Sequence, residues 1–354
     1  MLRKSRLNLA KQAILCAIVI LLVFCPRSCP ITHAWSVSGH QAIASKACRL
    51  FPGRWGDFFR YYEWLLNETV AYPDTFYKGR DPAEGSRHYV NLEVWNASRP
   101  ETGTLPSAVE TYGRSMADAI KAGDWNKVLL DAGRLSHYIS DICQPYHSTV
   151  NYDPVTKSGI RLHAVWDAAT MTHLSEIRFI SSIGTPQIVN LAEYALTLAR
   201  QSYSFLAEIN TTLIDLGQPW SSRLTEIVEN RTNTAIIATT NVWHTAIAGS
   251  KADAPTLPED KKLNIVARSL LQTIDVSRDS VFEFVVTDQL GVKVASEIRA
   301  DIAGITLETE SHLDLADPLG RYRTLLQANN LGGLGAIAEF IVIAQRSGYV
   351  PARL

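Results

Sequence analysis

Apolar residues recur every three to four positions through most of 35–249, the period of an amphipathic helix with one face on a core. Residues 106–122 carry this spacing and end at Gly123, a helix stop. Residues 125–143 repeat it with Val128, Leu129, Leu135 and Ile139, and 188–213 and 223–248 are long amphipathic runs without Gly or Pro. The pattern breaks over 73–106, where Pro73, Gly79, Pro82, Gly85 and Pro100 mark an ordered loop region. A loop this long in a compact domain is usually functional or disordered, and Asp74 and His88 within it argue for function. Residues 250–262 read as a linker. The period then changes: 281–286 is apolar and β-rich, Asp288-Gln-Leu-Gly291 is a turn, and 322–326 and 338–344 are further strands, with turns at 317–320 and 332–333. Short strands between turns over roughly 90 residues predict a small β-sandwich. The expected fold is mainly α: a helical domain over 35–250, then a β-sandwich over 263–354 that is dispensable for chemistry.

The first 34 residues read as a removable export signal. Arg3, Lys4, Arg6 and Lys11 make a basic start, and 13–25 is an unbroken apolar run of 13 residues. That is short of the ~20 needed to span a bilayer and fits a signal core; an uncleaved signal anchor is the alternative. Thr32-His33-Ala34 reads as a cleavage site, so the mature chain would begin at Trp35 and be secreted or held at the cell surface. Residues 1–34 hold five basic residues and no acidic one. Removing them from 34 Lys+Arg and 35 Asp+Glu leaves 29 against 35, a formal −6. A non-specific nucleic-acid binder normally shows the opposite sign. Of five cysteines only Cys48 and Cys143 remain; they can pair after export or stay as two buried thiols. The lack of any CxxC spacing rules out a cysteine zinc site. Asn67, Asn96, Asn210 and Asn230 stand in N-x-S/T sequons, compatible with export.

The histidines change the picture. Of nine, His33 falls in the leader, and five of the other eight (His40, His88, His137, His147, His163) lie near carboxylates in suggestive patterns. His137 and Asp141 are four apart and share a helix face, so both can point at one ion. His147 lies six residues further, about 240° round an ideal helix, and Pro145 intervenes; a second ion beside the first is its natural target. His163 and Asp167 repeat the four-residue spacing. Two imidazoles and a carboxylate make a three-ligand zinc set with one position open to water. His173, His244 and His312 have no such partners and read as structural or surface residues.

With these residues in place, the chain resembles the zinc-dependent phospholipase C and single-strand nuclease (3′-nucleotidase) superfamily, whose mature chains begin with a metal-binding tryptophan. The matching residues are Trp35-x4-His40, Tyr72-Pro-Asp74, Arg87-His-Tyr-Val-Asn91, Leu135-Ser-His-Tyr-Ile-Ser-Asp-Ile-Cys-Gln-Pro-Tyr-His147 and Leu162-His-Ala-Val-Trp-Asp167. The resemblance covers roughly 35–250. It implies three zinc ions: one on Asp74, His88, His137 and Asp141; a second on His147, His163 and Asp167; a third on the Trp35 amine and carbonyl, His40 and Asp141, with Asp141 bridging. It also implies hydrolysis of a phosphodiester by zinc-bound hydroxide in line at phosphorus, with Asp74 orienting or deprotonating the water. The tail, through Val286-Thr-Asp-Gln-Leu-Gly-Val-Lys-Val294, Ala316-Asp-Pro-Leu-Gly-Arg-Tyr322 and Ser347-Gly-Tyr-Val-Pro-Ala352, resembles the immunoglobulin-like repeats of exported surface proteins.

The short Trp35–His40 spacing and Asp167, rather than Glu, resemble the nuclease branch. Against it, Tyr77 stands where that branch usually has Arg, and Asn91 where it has Asp. Ser36-Val-Ser38 lacks the acid that the phospholipase branch often uses for choline. Tyr77, Tyr89 and Asn91 are the candidate substrate contacts. The charge and the missing arginine favour a phospholipase C-like hydrolase over a single-strand nuclease, with phospholipid or single-stranded nucleic acid as substrate. No obligate protein partner is implied, and the tail offers contact with a cell surface or envelope. The reading from a different class is a cell-surface binding protein with an inactive helical domain; the complete ligand set argues against it.

Overall fold

The structure, a computed structural model, describes residues 35–156, 159–184, 186–214, 220–268, 280–302, 305–326 and 340–354. The expected export signal and its cleavage site lie outside these residues, as does the turn expected at 332–333. Among the described residues no helix is long and apolar enough to cross a membrane.

The helical half comprises α1 (Ser36–Leu50), α2 (Gly53–Tyr61), α3 (Glu63–Thr69), α4 (Leu105–Ala122), α5 (Trp125–Cys143), α6 (Leu162–Thr172), α7 (Leu191–Tyr203), α8 (Leu206–Ile214) and α9 (Ser222–Ser250). Local chemistry sets several ends. Pro106 sits in the first turn of α4, and left-handed Gly123 (φ 69°) ends it. Asp124 then caps α5 by accepting the Lys127 N–H at 3.1 Å. The run expected over 188–213 is interrupted at Ser204, whose hydroxyl donates to the Gln201 carbonyl at 2.7 Å. Such side-chain bonds to the backbone compete with helix continuation.

α5 is the axis of this half. Every residue from Val128 to Cys143 except Arg134 is buried. Gly133 explains how closely α3 can approach: a Cβ there would lie 2.2 Å from Thr69 Oγ1. One turn on, His137 Nδ1 meets the Val70 carbonyl at 2.8 Å. On the far side, α9 sends Trp243 Nε1 to the Ala132 carbonyl at 3.0 Å. Cys48 and Cys143 are buried free thiols, both pushed up to about 12 by burial.

Among the described residues the C-terminal part has two four-stranded antiparallel sheets. Its strands are β1 (Asn264–Ala267), β2 (Ser280–Thr287), β3 (Glu297–Ile302), β4 (Ile305–Leu307), β5 (Thr309–His312), β6 (Arg321–Leu326), β7 (Phe340–Gln345) and β8 (Ala352–Arg353). One sheet runs β1-β2-β6-β5 and the other β4-β3-β7-β8. Lettering the strands A, B, C, C′, D, E, F and G in chain order gives ABED on one sheet and C′CFG on the other. This is the immunoglobulin strand order with a short extra strand beside C. Phe282, Phe284, Val286, Val342 and Ala344 form its core.

The two halves make intimate contacts. Tyr62 OH donates to Asp288 Oδ2 at 2.5 Å. The Asn126 side chain donates to the Gly291 carbonyl and accepts the Lys293 N–H, both at 2.8 Å. Val292 is fully buried in the helical core.

Candidate metal centre

Five chain segments converge on α5. α1 carries His40; a single π turn (Pro73–Tyr77) carries Asp74; a 3₁₀ turn (Gly85–His88) ends in His88; another (Pro145–Ser148) carries His147; α6 carries His163 and Asp167. The α5 helix ends just before Pro145, as the missing N–H and ring clash of proline require. His147 is therefore swung off the helical track of His137 and Asp141. All eight side chains are buried.

Asp141 is the hub. One carboxylate oxygen, Oδ2, lies 2.9 Å from His88 Nδ1 and 3.4 Å from His137 Nε2. The other, Oδ1, lies 3.4 Å from His40 Nε2 and 3.9 Å from His147 Nδ1. Asp74 approaches His88 at 3.8 Å and His137 at 3.9 Å. His40 and His137 stack with ring centroids 3.9 Å apart. Among the described residues, two overlapping sets have ligand atoms all within 4.8 Å of one another: His40, His137 and Asp141, and Asp74, His88 and His137. Beside them, His163 Nε2 lies 3.3 Å from Asp167 Oδ2, and its ring meets His147 edge-on at 5.2 Å.

Two of these imidazoles spend one nitrogen on orientation and turn the other inward. His137 Nδ1 is held by the Val70 carbonyl and His147 Nδ1 by the His88 carbonyl. His88 Nε2 faces Glu84 Oε1 at 3.3 Å without hydrogen-bond geometry. This outer shell is the usual device for fixing the tautomer of a metal-binding histidine. Glu84 is itself buried and braced by Tyr138 OH at 2.6 Å and Arg87 at 2.8 Å. On the other flank, Gln144 Nε2 donates to Asp167 Oδ1 at 3.0 Å, and the Trp35 N–H hydrogen-bonds the same carboxylate. Sequence reasoning missed Glu84 and Gln144. The one available signal was Glu84 four residues before His88. We expect Glu84→Gln to weaken metal binding by about 10-fold, the lower end for an outer-shell change. Chelator competition measures this, and unchanged affinity would remove Glu84 from the shell.

The electrostatics say what the cluster lacks. Burial, then His137, pushes His40 down to about 3, and burial, then His147, does the same to His163. Both are neutral lone-pair donors at neutral pH. Burial alone would raise Asp141, but His137 and His147 outweigh it and hold the carboxyl well below its ordinary range. Burial would lower His88, yet its hydrogen bond to Asp141 and the nearby Glu84 carboxylate carry it up to about 9. Burial drives Asp167 well above the carboxylate range. Neither His40 nitrogen, nor Asp141 Oδ1, nor Asp167 Oδ2 has a hydrogen-bond partner. Orphaned buried donors and acceptors are costly, and a cation among them satisfies lone pairs that the protein leaves open. Imidazole nitrogens with carboxylate oxygens suit zinc.

Trp35 is buried, and its indole donates to the Ser140 carbonyl at 2.8 Å, next to Asp141. Of the expected substrate contacts, Tyr77 is only 2% exposed and packs with Tyr72, Phe76 and Leu130. The Arg134 guanidinium lies 4.2 Å over its ring. Tyr89 and Asn91 are half-buried. Lys78 Nζ, 3.3 Å from Asp74 Oδ1, is a partly exposed cation at the cluster that the sequence did not single out. Outside the centre, His173 pairs with Glu176 at 2.8 Å and His312 lies 3.7 Å from Asp314.

No protein-family model matches the chain, and no curated protein does. Among solved structures, an alpha toxin from Clostridium absonum is similar over 88% of this chain and 89% of its own, at 12% identity and a TM-score of 0.46. The alpha toxin of an avian strain of Clostridium perfringens is similar over 88% and 90%, at 13% identity and a TM-score of 0.45.

Proposed function

We propose that the chain is a secreted or cell-surface zinc-dependent phosphodiester hydrolase of phospholipase C type, with three ions in the helical half. The observation that carries this reading is the convergence of five imidazoles and three carboxylates, several with orphaned atoms, in one buried cluster. By this reading Asp74, His88, His137 and Asp141 hold one ion, and His147, His163 and Asp167 the second. Trp35, His40 and Asp141 hold the third. Zinc bound there supplies hydroxide near neutral pH and neutralises the anionic phosphodiester oxygens.

The chain's own residues do the rest. Asp141 keeps two sets of imidazoles in register. Asp74 orients the attacking water and accepts its proton. The backbone carbonyls of Val70 and His88 keep the lone pairs of His137 and His147 turned inward. Tyr89 and Asn91 flank the His88 turn and are the residues offered to substrate. The excess of acidic over basic residues after residue 34 supports a phospholipid over a nucleic acid.

The test is an assay panel on zinc-loaded, processed protein: a phospholipid, single-stranded nucleic acid and a 3′-nucleotide. Turnover of the phospholipid is expected. Turnover of nucleic acid alone would move the chain to the nuclease reading. Zinc binding without hydrolysis of any of the three would leave the binding-protein reading.

The proposed third ion depends on processing, because an amide nitrogen in a longer chain is a poor ligand where a free amine is a good one. Protein beginning at Trp35 is expected to hold one more zinc than protein with one extra N-terminal residue. Equal zinc content by elemental analysis would withdraw Trp35 from the ligand set.

A further inference from the structure

We propose that the β half sets the position of Asp74 through Leu319, and thereby the affinity of the centre for the ion on Asp74, His88 and His137. The inference rests on the metal-centre reading above. It replaces the dispensable tail that the linker composition leads one to expect.

Asp74 sits on a single π turn entered directly from α3 through right-handed Val70 and Tyr72, a rare geometry frequent at functional sites. The aromatic residues of that turn and its entry, Tyr72, Phe76 and Tyr77, are buried with Leu130 in a cluster separate from the main core. Leu319, from the loop between β5 and β6, packs against this cluster. Leu130 stands on α5, seven residues before His137. Leu319 thus packs on the cluster that joins the turn carrying Asp74 to the helix carrying His137.

The loop around Leu319 is held firmly. The Asp317 N–H donates to the Asp314 carbonyl at 3.1 Å, and the Gly320 N–H to the Asp317 carbonyl at 3.0 Å. Gly320 is left-handed (φ 79°), and a Cβ there would lie 3.1 Å from the His312 carbonyl oxygen. Lys293 pairs with Asp317, and the Lys293 backbone is fixed in turn by Asn126 of α5. Arg134, stacked over Tyr77, lines a cleft of about 600 Å³ together with Leu319, Asp317 and Arg321. The path from sandwich to Asp74 is therefore continuous: β2–β3 connection, Asp317, Leu319, aromatic turn.

Leu319 acts through Asp74 and is a positioning residue. A double-mutant cycle in the full chain tests it, with zinc affinity read by chelator competition and no substrate involved. Leu319→Ala is expected to weaken one ion about 10-fold, with Leu319→Met restoring most of the loss. In an Asp74→Asn background, Leu319→Ala should add nothing. Leu315→Ala, an exposed change in the same loop, should leave affinity unchanged. Wild-type affinity in Leu319→Ala would overturn the inference, as would equal weakening in both backgrounds, the mark of a merely structural residue. If Leu319→Ala fails to fold, Leu319→Val enters the same cycle with the same two outcomes at smaller amplitude. A wild-type chain that binds no divalent ion would overturn the metal centre itself; bound zinc without coupling sinks only the role of Leu319.

Discussion

Asp141→Asn is expected to cost more than any other single change at the centre: roughly 1,000-fold or more in hydrolysis, about 4 kcal/mol of barrier. Its carboxylate lies within 3.9 Å of His40, His88, His137 and His147. Removing one member of a buried charged network leaves the others uncompensated, which is why such losses are large. The amide keeps the shape but removes a full negative charge shared between two proposed ions. Zinc content should fall with activity, to one ion or fewer. Asp118→Asn, on the exposed face of α4, is the control and should retain both. An Asp141→Asn enzyme with its full zinc and near-normal turnover would remove the bridging role.

Stripping the metal is expected to lower the melting temperature by roughly 10 °C or more. An ion that binds only the native state contributes about 4 kcal/mol at a free concentration of 1,000 times Kd. Each kcal/mol is worth ~2–4 °C in a domain of this size. The proposed ligands come from segments as far apart as Trp35 and Asp167, so an unfolded chain cannot reproduce the site and the linkage is strong. Without metal, the His40 nitrogens and Asp141 Oδ1 lack hydrogen-bond partners in a buried cluster. Calorimetry with and without chelator measures the effect, and re-addition of zinc should reverse it. A melting temperature indifferent to chelator would mean that the cluster is satisfied by its own protons.

Much of the architecture is legible in the sequence. The α5 boundaries follow from Asp124, the apolar period and Pro145. The α4 stop follows from Gly123. The strand at 281–286 and the turns at 288–291 and 317–320 follow from β-rich composition and turn residues. Five short strands escaped notice: Asn264–Ala267, Glu297–Ile302, Ile305–Leu307, Thr309–His312 and Ala352–Arg353. Strand propensity is decided largely by cross-strand and same-face neighbours, which a single segment does not contain. The break between α7 and α8 was also missed, because Ser204 reads as an ordinary helix residue until its hydroxyl bonds backward.

Relations within one element are thus written in the chain. His137 and Asp141 share a helix face because 3.6 residues make a turn, and Pro145 takes His147 off that face. Relations between residues distant in the chain arise only when the elements assemble. Glu84 faces the His88 ring, the Val70 carbonyl fixes His137, and Gln144 reaches Asp167. Tyr77, a candidate for substrate by position, is buried beneath Arg134. The linker at 250–262 reads as a divide, yet Val292 fills the helical core and Leu319 packs behind the turn of Asp74. Periodicity records which face of an element is apolar, but not which surface covers it. That choice is made by shape and packing density when the elements assemble.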